Sequence, residues 1–443
     1  VLLLVPGAAG AKVLPPALVR IAADTTSTAG AQHATVVEPD AFAAGSKVVA
    51  TFQVGRFFGG AAGAIGFSTS ANAGRSWRSG LLPGLPQAGA ASDPVVAYDA
   101  QHARWLIATL VPSVSGQSAV AINASADGFT WEAPVTAVSY PRNTSAGTSL
   151  DKQWLTCDNG EASSFRGRCY LAYTDLAHDP DPQHQGSHIA VQSSSDGGRT
   201  WSQPVLVTVT ANIVSPGVQP VVRPNGQLVV AFFEDGLVEA VRSDDGGGTF
   251  SARERISTLK FHERPVRPNR LRAFSLPTAT VDAAGVVYVA WLDCRFRADC
   301  ATDDIVWSRS TAAGSWTPVR RVPLGPLSSR AQFVLPDLAV AGARLALTYY
   351  AVSNADCTES TCLLDVYLVT SKTRGTRWAK PRRLNPKRMR LTWLASTVSG
   401  RMVGDYTATV FAGSRVVSVH VQARPPQAGR FNEAAYAFSL TLP

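Results

Sequence analysis

The sequence predicts an all-β fold, a seven-bladed β-propeller of four-stranded antiparallel blades. Three observations carry that prediction: a turn motif that returns six times, a spacing of about 60 residues between its copies, and alternating apolar strands with no helical segment between them. The clearest copies are residues 194–201 (SSDGGRTW) and 243–250 (SDDGGGTF), both of the form Ser-x-Asp-x-Gly-x-Thr-aromatic. Residues 70–77 carry Asn72 for the Asp, residues 371–378 carry Thr373, and residues 125–131 and 310–316 are each one residue shorter. In such a turn the Asp or Asn side chain accepts backbone N–H groups, the Gly takes a positive φ, and the aromatic packs between neighbouring sheets.

Each copy follows one alternating strand, such as 189–192 or 237–241, and precedes another. Two earlier strands complete a unit, as in Gln219 to Val222, the Pro224-Asn225-Gly226 turn, and 228–233. First strands are expected near Glu38, Asp93, Asp151, Gln219, Leu276, Leu335 and Gly404. The last unit has strands at 405–411, 415–421 and 434–438 and then lacks a turn motif and a fourth strand. Residues 17–22 are expected to supply it and close the ring. A six-bladed ring is the alternative if one unit is a decorated insertion.

The chain has 443 residues, 45% of them hydrophobic and only 16% charged, a composition that disfavours disorder and coiled coil. No run of about 18 apolar residues occurs, so no helix is expected to span a membrane. Residues 1–12, apolar and ending in small residues, are expected to be the remnant of a secretory leader, with residues 13–443 forming one propeller domain. Six cysteines fall into three close pairs, Cys157 with Cys169, Cys294 with Cys300 and Cys357 with Cys362, without zinc-type spacing. Three disulfides and an oxidising, extracellular compartment are expected.

The turns resemble the Asp box of the sialidase superfamily, also called the bacterial neuraminidase repeat, over nearly the whole chain. Asp151-Lys152-Gln153-Trp154, Asp293-Cys294-Arg295-Phe296-Arg297 and Gly404-Asp405-Tyr406 also resemble segments of secreted, sialidase-like propellers usually labelled glycosyl hydrolases. The resemblance implies a secreted, exo-α-sialidase-like glycoside hydrolase acting on acidic glycans at the channel mouth. A Phe/Tyr-Arg-Ile-Pro motif of the family's first blade is absent, and Arg56 stands nearest its place. A non-catalytic glycan- or protein-binding propeller and a polysaccharide lyase are the alternatives.

In this strand order the motif turns share one face, so function is expected on the other, where first strands begin and second strands turn into third. The starts offer Glu38, Asp93, Asp151 with Lys152, Gln219, and Asp405 with Tyr406. The loops offer Arg56, Asp175, His178, Glu234, Asp235, Asp293, Arg295, Arg297, Asp303 and Asp304. Retaining sialidases use a Tyr nucleophile, a Glu that activates it, an Asp acid/base and an Arg cluster on the substrate carboxylate. The resemblance therefore implies Tyr406 as nucleophile, Glu234 as its base, Asp93 or Asp151 as acid, and Arg56, Arg295 and Arg401 as the clamp. Lys152, Asp293, Asp405, Gln219 and Glu38 are the further substrate contacts. If two carboxylates act directly, Asp93 and Asp151 from adjacent blades are the pair.

The formal charge of +9 favours an anionic oligosaccharide or polysaccharide as partner. Nucleic acid is not expected, because the basic stretch 380–390 has no interleaved aromatics. No cofactor is expected: His178, His184 and His188 fit no standard metal spacing, and the Asp303-Asp304 pair lacks a calcium-loop signature. A monomer is the expected state. The sequons at Asn123 and Asn143 matter only in a glycosylating host.

Overall fold

The motif turns set the blades. In residues 194–200 the Asp196 carboxylate accepts the N–H groups of Arg199 (2.9 Å) and Thr200 (3.0 Å) and the hydroxyls of Ser194 (2.8 Å) and Thr200 (2.6 Å). Ser194 Oγ accepts the Gly198 N–H at 3.0 Å. Asp245 repeats the pattern with Gly248, Thr249 and Ser243, and Asn72 and Asp127 form reduced versions. Gly198 is required twice over: its φ is +81°, and a Cβ there would stand 2.8 Å from Leu106 of the preceding blade.

In a computed structural model these turns organise seven four-stranded antiparallel blades among the described residues, with no α-helix. The described residues are 17–442 apart from 86–90, 115, 142–148, 177–186, 211–216, 235, 262–270 and 311–313. The leader at 1–12, His178, His184, Asp235 and the Asn143 sequon lie outside them. From the channel outward, blade one is Gln32–Ala44, Lys47–Arg56, Ala62–Ser70 and Arg78–Leu81. The innermost strands of blades two to six are Ser92–Asp99, Leu150–Cys157, Gln219–Val222, Thr278–Val281 and Gln332–Ala341. Blade seven runs Ala408–Ala412, Arg415–Ala423 and Glu433–Thr441, and its outermost strand is Ala17–Ala23, paired antiparallel with Glu433–Thr441. The amino-terminal strand closes a ring of seven, which sets the six-bladed alternative aside.

Apolar residues from facing sheets fill the gaps between blades. Trp105, Trp291 and Trp307 are fully buried, and the turn aromatics pack as the motif requires: Trp77 against a cluster of blades seven and one, Trp201 against one of blades two and three. The three expected disulfides, Cys157–Cys169, Cys294–Cys300 and Cys357–Cys362, all form.

Buried carboxylates bind blade to blade near the axis. Asp40 accepts the Val96 N–H at 2.8 Å, and Asp337 accepts the Thr409 N–H at 2.5 Å and the Thr278 hydroxyl at 2.7 Å. Burial pushes Asp40 up to about 7, against the pull of the Val96 N–H. A carboxyl that is neutral in the fold and ionised in the unfolded chain loses stability as pH rises from about 4 to about 7. Asp40→Asn keeps the acceptor and removes the titration. In guanidinium unfolding it is expected to match the wild type at pH 4 and exceed it at pH 8 by about 2–4 kcal/mol; a gap independent of pH would contradict this.

Four innermost strands share a distortion that aims the site. A bulge interrupts the ladder at 37–40, 92–95, 151–154 and 334–337, and the bulged Glu38, Asp93, Lys152 and Leu335 take φ of 53°, 45°, 46° and 52°. Side chains rarely adopt this left-handed region, and bulges concentrate where a side chain must be re-aimed.

Candidate functional site at the channel mouth

Three of the bulges and the start of blade seven bring charges from four blades together. Glu38 of blade one, Asp93 of blade two and Lys152 of blade three are all buried, and Asp405 and Tyr406 approach from the start of blade seven. One relay fixes the first two carboxylates. The Gln53 amide donates to Glu38 Oε2 and to Ser92 Oγ (3.0 Å), and the Ser92 hydroxyl donates to Asp93 Oδ1 at 2.9 Å. Arg56 Nη1 donates to Gln53 Oε1 at 2.9 Å, which orients the amide so that both its N–H groups face the carboxylate side. Gln153 donates to the Asp93 carbonyl oxygen.

Lys152 is held by rings. Its ammonium lies 4.1 Å from the centroids of both Trp154 and Tyr406, two rings that meet edge-to-face at 5.2 Å. Its Nζ makes no hydrogen bond among the described residues. Burial pulls its amine below the ordinary lysine value, while Asp93, Glu38, Asp405 and Asp40 act in the opposite direction. At the rim Arg272 forms a two-point ion pair with Asp405, at 2.8 and 2.5 Å, and stacks on Phe274. The Arg272 N–H donates to the Arg401 carbonyl at 2.6 Å.

Burial raises two acids of the site. Burial, then the charges of Asp93 and Asp405, raise the Glu38 carboxyl well above the usual carboxylate range; Arg56 and Arg272 oppose this without reversing it. Tyr406 is also raised, by burial and then by Glu38, Asp93, Asp40 and Asp405. Its hydroxyl donates to the Pro94 carbonyl at 3.2 Å. Such a phenol resists ionisation, and Glu38 keeps its proton to higher pH than an ordinary carboxyl does.

Most of the other expected site residues stand elsewhere. Glu234 ends a second strand, where Arg253 binds it at 2.5 Å. Arg295 folds back onto Asp293 (2.7 Å) and reaches Ser257 at 3.0 Å. Arg297 and Arg321 bind Asp304 and supply the positive charge that a metal ion would otherwise bring to it, and Asp303 accepts from Gln332. Arg401 binds Glu359 (2.7 Å) and Ser396 (2.7 Å), so it meets the mouth through its backbone alone. Asp151 accepts its neighbour's N–H, Lys152, at 2.9 Å. Gln219 is buried and lines the mouth beside Lys152 and Trp154. Arg272 and Gln53 were not expected from the sequence.

Beneath Phe274 and Leu276 the mouth encloses only about 10 Å³, while the channel opens on the motif-turn face as a cavity of about 690 Å³ lined by Asp40, Asp337, Phe42 and Thr409. Among the described residues no group of three or more His, Cys, Asp or Glu is arranged for a metal.

No family model matches the chain, and no curated protein matches it. Among solved structures it is similar to a protein of unknown function from Dyadobacter fermentans DSM 18053, at 14% identity over 80% of this chain and 95% of that one, with a TM-score of 0.50. That likeness shows the propeller fold. Two further similar structures are the α-L-arabinofuranosidase Arb93A from Fusarium graminearum (13% identity, 98% and 99% coverage, TM-score 0.49) and the Hadza microbial sialidase Hz136 (14%, 86% and 74%, 0.44).

Proposed function

We propose that the chain is a secreted glycoside hydrolase that cleaves an acidic glycan at the channel mouth, with Glu38 as general acid and Asp93 as its carboxylate partner. One observation carries this reading: two carboxyl groups from adjacent blades are oriented by a single Gln53–Ser92 relay, and one of them is raised by burial and by the other's charge. Two carboxyl groups flanking one bond, one of them an acid of raised pKa, are what glycoside cleavage uses. The Lys152 ammonium, which makes no hydrogen bond among the described residues, supports an acidic sugar, Trp154 and the exposed Phe274 offer ring faces, and three disulfides support secretion. Tyr406 serves in this reading as a wall of the Lys152 cage.

A second reading, a glycan-binding propeller without catalysis, is favoured by the small volume at the mouth. A panel of aryl glycosides, including sialosides and uronides, separates the two. Turnover of one member is expected, with Tyr406→Phe retaining activity within about tenfold. Activity abolished in Tyr406→Phe would restore the tyrosine nucleophile; no turnover of any member by folded protein would leave the binding reading.

A further inference from the structure

The net charge of +9 is not spread over the surface. Residues 372–390 (KTRGTRWAKPRRLNPKRMR) hold nine Lys and Arg and no Asp or Glu, which leaves 32 basic and 32 acidic residues in the rest of the chain. The rest of the protein is neutral, and the whole excess sits in one stretch. All nine basic residues are exposed.

The fold lays this stretch along one edge. It follows the third strand of blade six, Leu363–Ser371, and forms the turn at that strand's end. Arg382–Arg383 then pairs with Tyr367 and Leu368, and Met389–Arg390 pairs with Leu363 and Leu364. The basic residues thus climb the outer edge of blade six from the motif-turn face to the mouth face, about 30 Å for a nine-residue strand. Buried Leu384, Asn385 and Met389 anchor it, with Asn385 donating to Asp365 at 3.0 Å. Among the described residues only Arg383 and Arg388 meet a carboxylate, Asp365, at 3.7 and 2.8 Å. Beyond Arg390 lies the hairpin Ala395–Thr397 and Gly400–Met402, whose Arg401 carbonyl receives Arg272 at the mouth rim.

Edge protection does not account for so many charges. Outer-edge stretches 79–85 and 202–210, in blades one and three, contain no charged residue at all. Nine like charges on one edge repel each other, and an external polyanion removes that repulsion. We propose that residues 372–390 form a docking stripe for a linear anionic polysaccharide, whose carboxylate or sulfate groups meet the Lys and Arg side chains and whose chain is led along the blade edge to the mouth. The stripe has no exposed aromatic to stack on bases, since Trp378 packs against the core, and no exposed large apolar residue to enter a membrane. The proposal goes beyond the hydrolase reading and does not rest on it, because binding needs no turnover.

The test uses the full chain with two sixfold variants of equal net charge. One carries Lys372→Gln, Arg374→Gln, Arg377→Gln, Lys380→Gln, Arg382→Gln and Lys387→Gln, leaving the Asp365 pairs intact. The other carries Arg20→Gln, Arg75→Gln, Arg199→Gln, Arg255→Gln, Arg424→Gln and Arg430→Gln, exposed positions elsewhere. Thermal melts confirm folding, and heparin oligosaccharide in a calorimeter is the probe. The stripe variant is expected to lose at least about 30-fold in affinity and to show a flatter salt dependence, with the second variant within about threefold of wild type. Equal loss in both would reduce the effect to net charge and overturn the stripe. Tighter binding of wild type to duplex DNA or to phosphatidylglycerol vesicles than to heparin would overturn the choice of partner.

Discussion

Glu38→Gln is expected to lower kcat on the cleaved glycoside by about 10³-fold or more, within the range a positioned general acid supplies, with KM little changed. Gln keeps the shape of the side chain and removes only the transferable proton. Asp93→Asn should fall comparably, and the double variant no further than the worse single one, because the two groups act as a unit. Asp405→Asn probes the electrostatics without touching either group: it removes one of the negative charges that hold the proton on Glu38. An acid with a raised pKa is competent below that value and lost above it, so the alkaline limb of kcat/KM should move to lower pH in Asp405→Asn. Retention of full activity in Glu38→Gln would sink the assignment.

Loss of the closing strand is expected to have the largest effect on stability. Residues 17–23 give blade seven its outermost strand, and the buried Ile21 joins the core between blades seven and one. The Ile21 carbonyl also accepts the hydroxyls of Ser68 (2.8 Å) and Ser79 in blade one, so the strand fastens both ends of the ring. A chain starting at Asp24 should expose the Glu433–Thr441 edge, lose cooperative unfolding and aggregate. Ile21→Ala isolates the packing contribution and should cost about 2–5 kcal/mol in guanidinium unfolding followed by tryptophan fluorescence. A truncated chain that melts cooperatively near the wild-type temperature would contradict this account of closure.

The blades were legible because each rests on local chemistry: Ser194, Asp196 and Gly198 form their turn within a few residues and repeat at a fixed period. The mouth was legible where a residue stands at the start of an innermost strand or just before it, as Asp93, Lys152, Asp405 and Tyr406 do, while Glu38 stands at the bulge within Gln32–Ala44. Glu234 and Arg295 lie at or just beyond the ends of second strands, about 5 Å farther from the axis, where Glu234 binds Arg253 of its own blade and Arg295 binds Asp293 and, in the preceding blade, Ser257. Arg56 is also at a second-strand end, yet it reaches the axis through Gln53. Arg272 had no signal, because its partner Asp405 is 133 residues away and only the fold brings them together. A signal for the bulges was present in Glu38-Pro39, Asp93-Pro94 and Leu335-Pro336, where a proline follows each left-handed residue at the same place in three blades.

The central claim is that a neutral Glu38 stands beside Asp93 at the channel mouth, and it can be measured without knowing the substrate. The infrared difference spectrum of wild type minus Glu38→Gln, followed across pH, reads the protonation of that carboxyl directly. A protonated carboxylic carbonyl band persisting through neutral pH in the wild type, and absent from the variant, is the expected result. A Glu38 signal that is already carboxylate throughout the ordinary range above about pH 5 would contradict it.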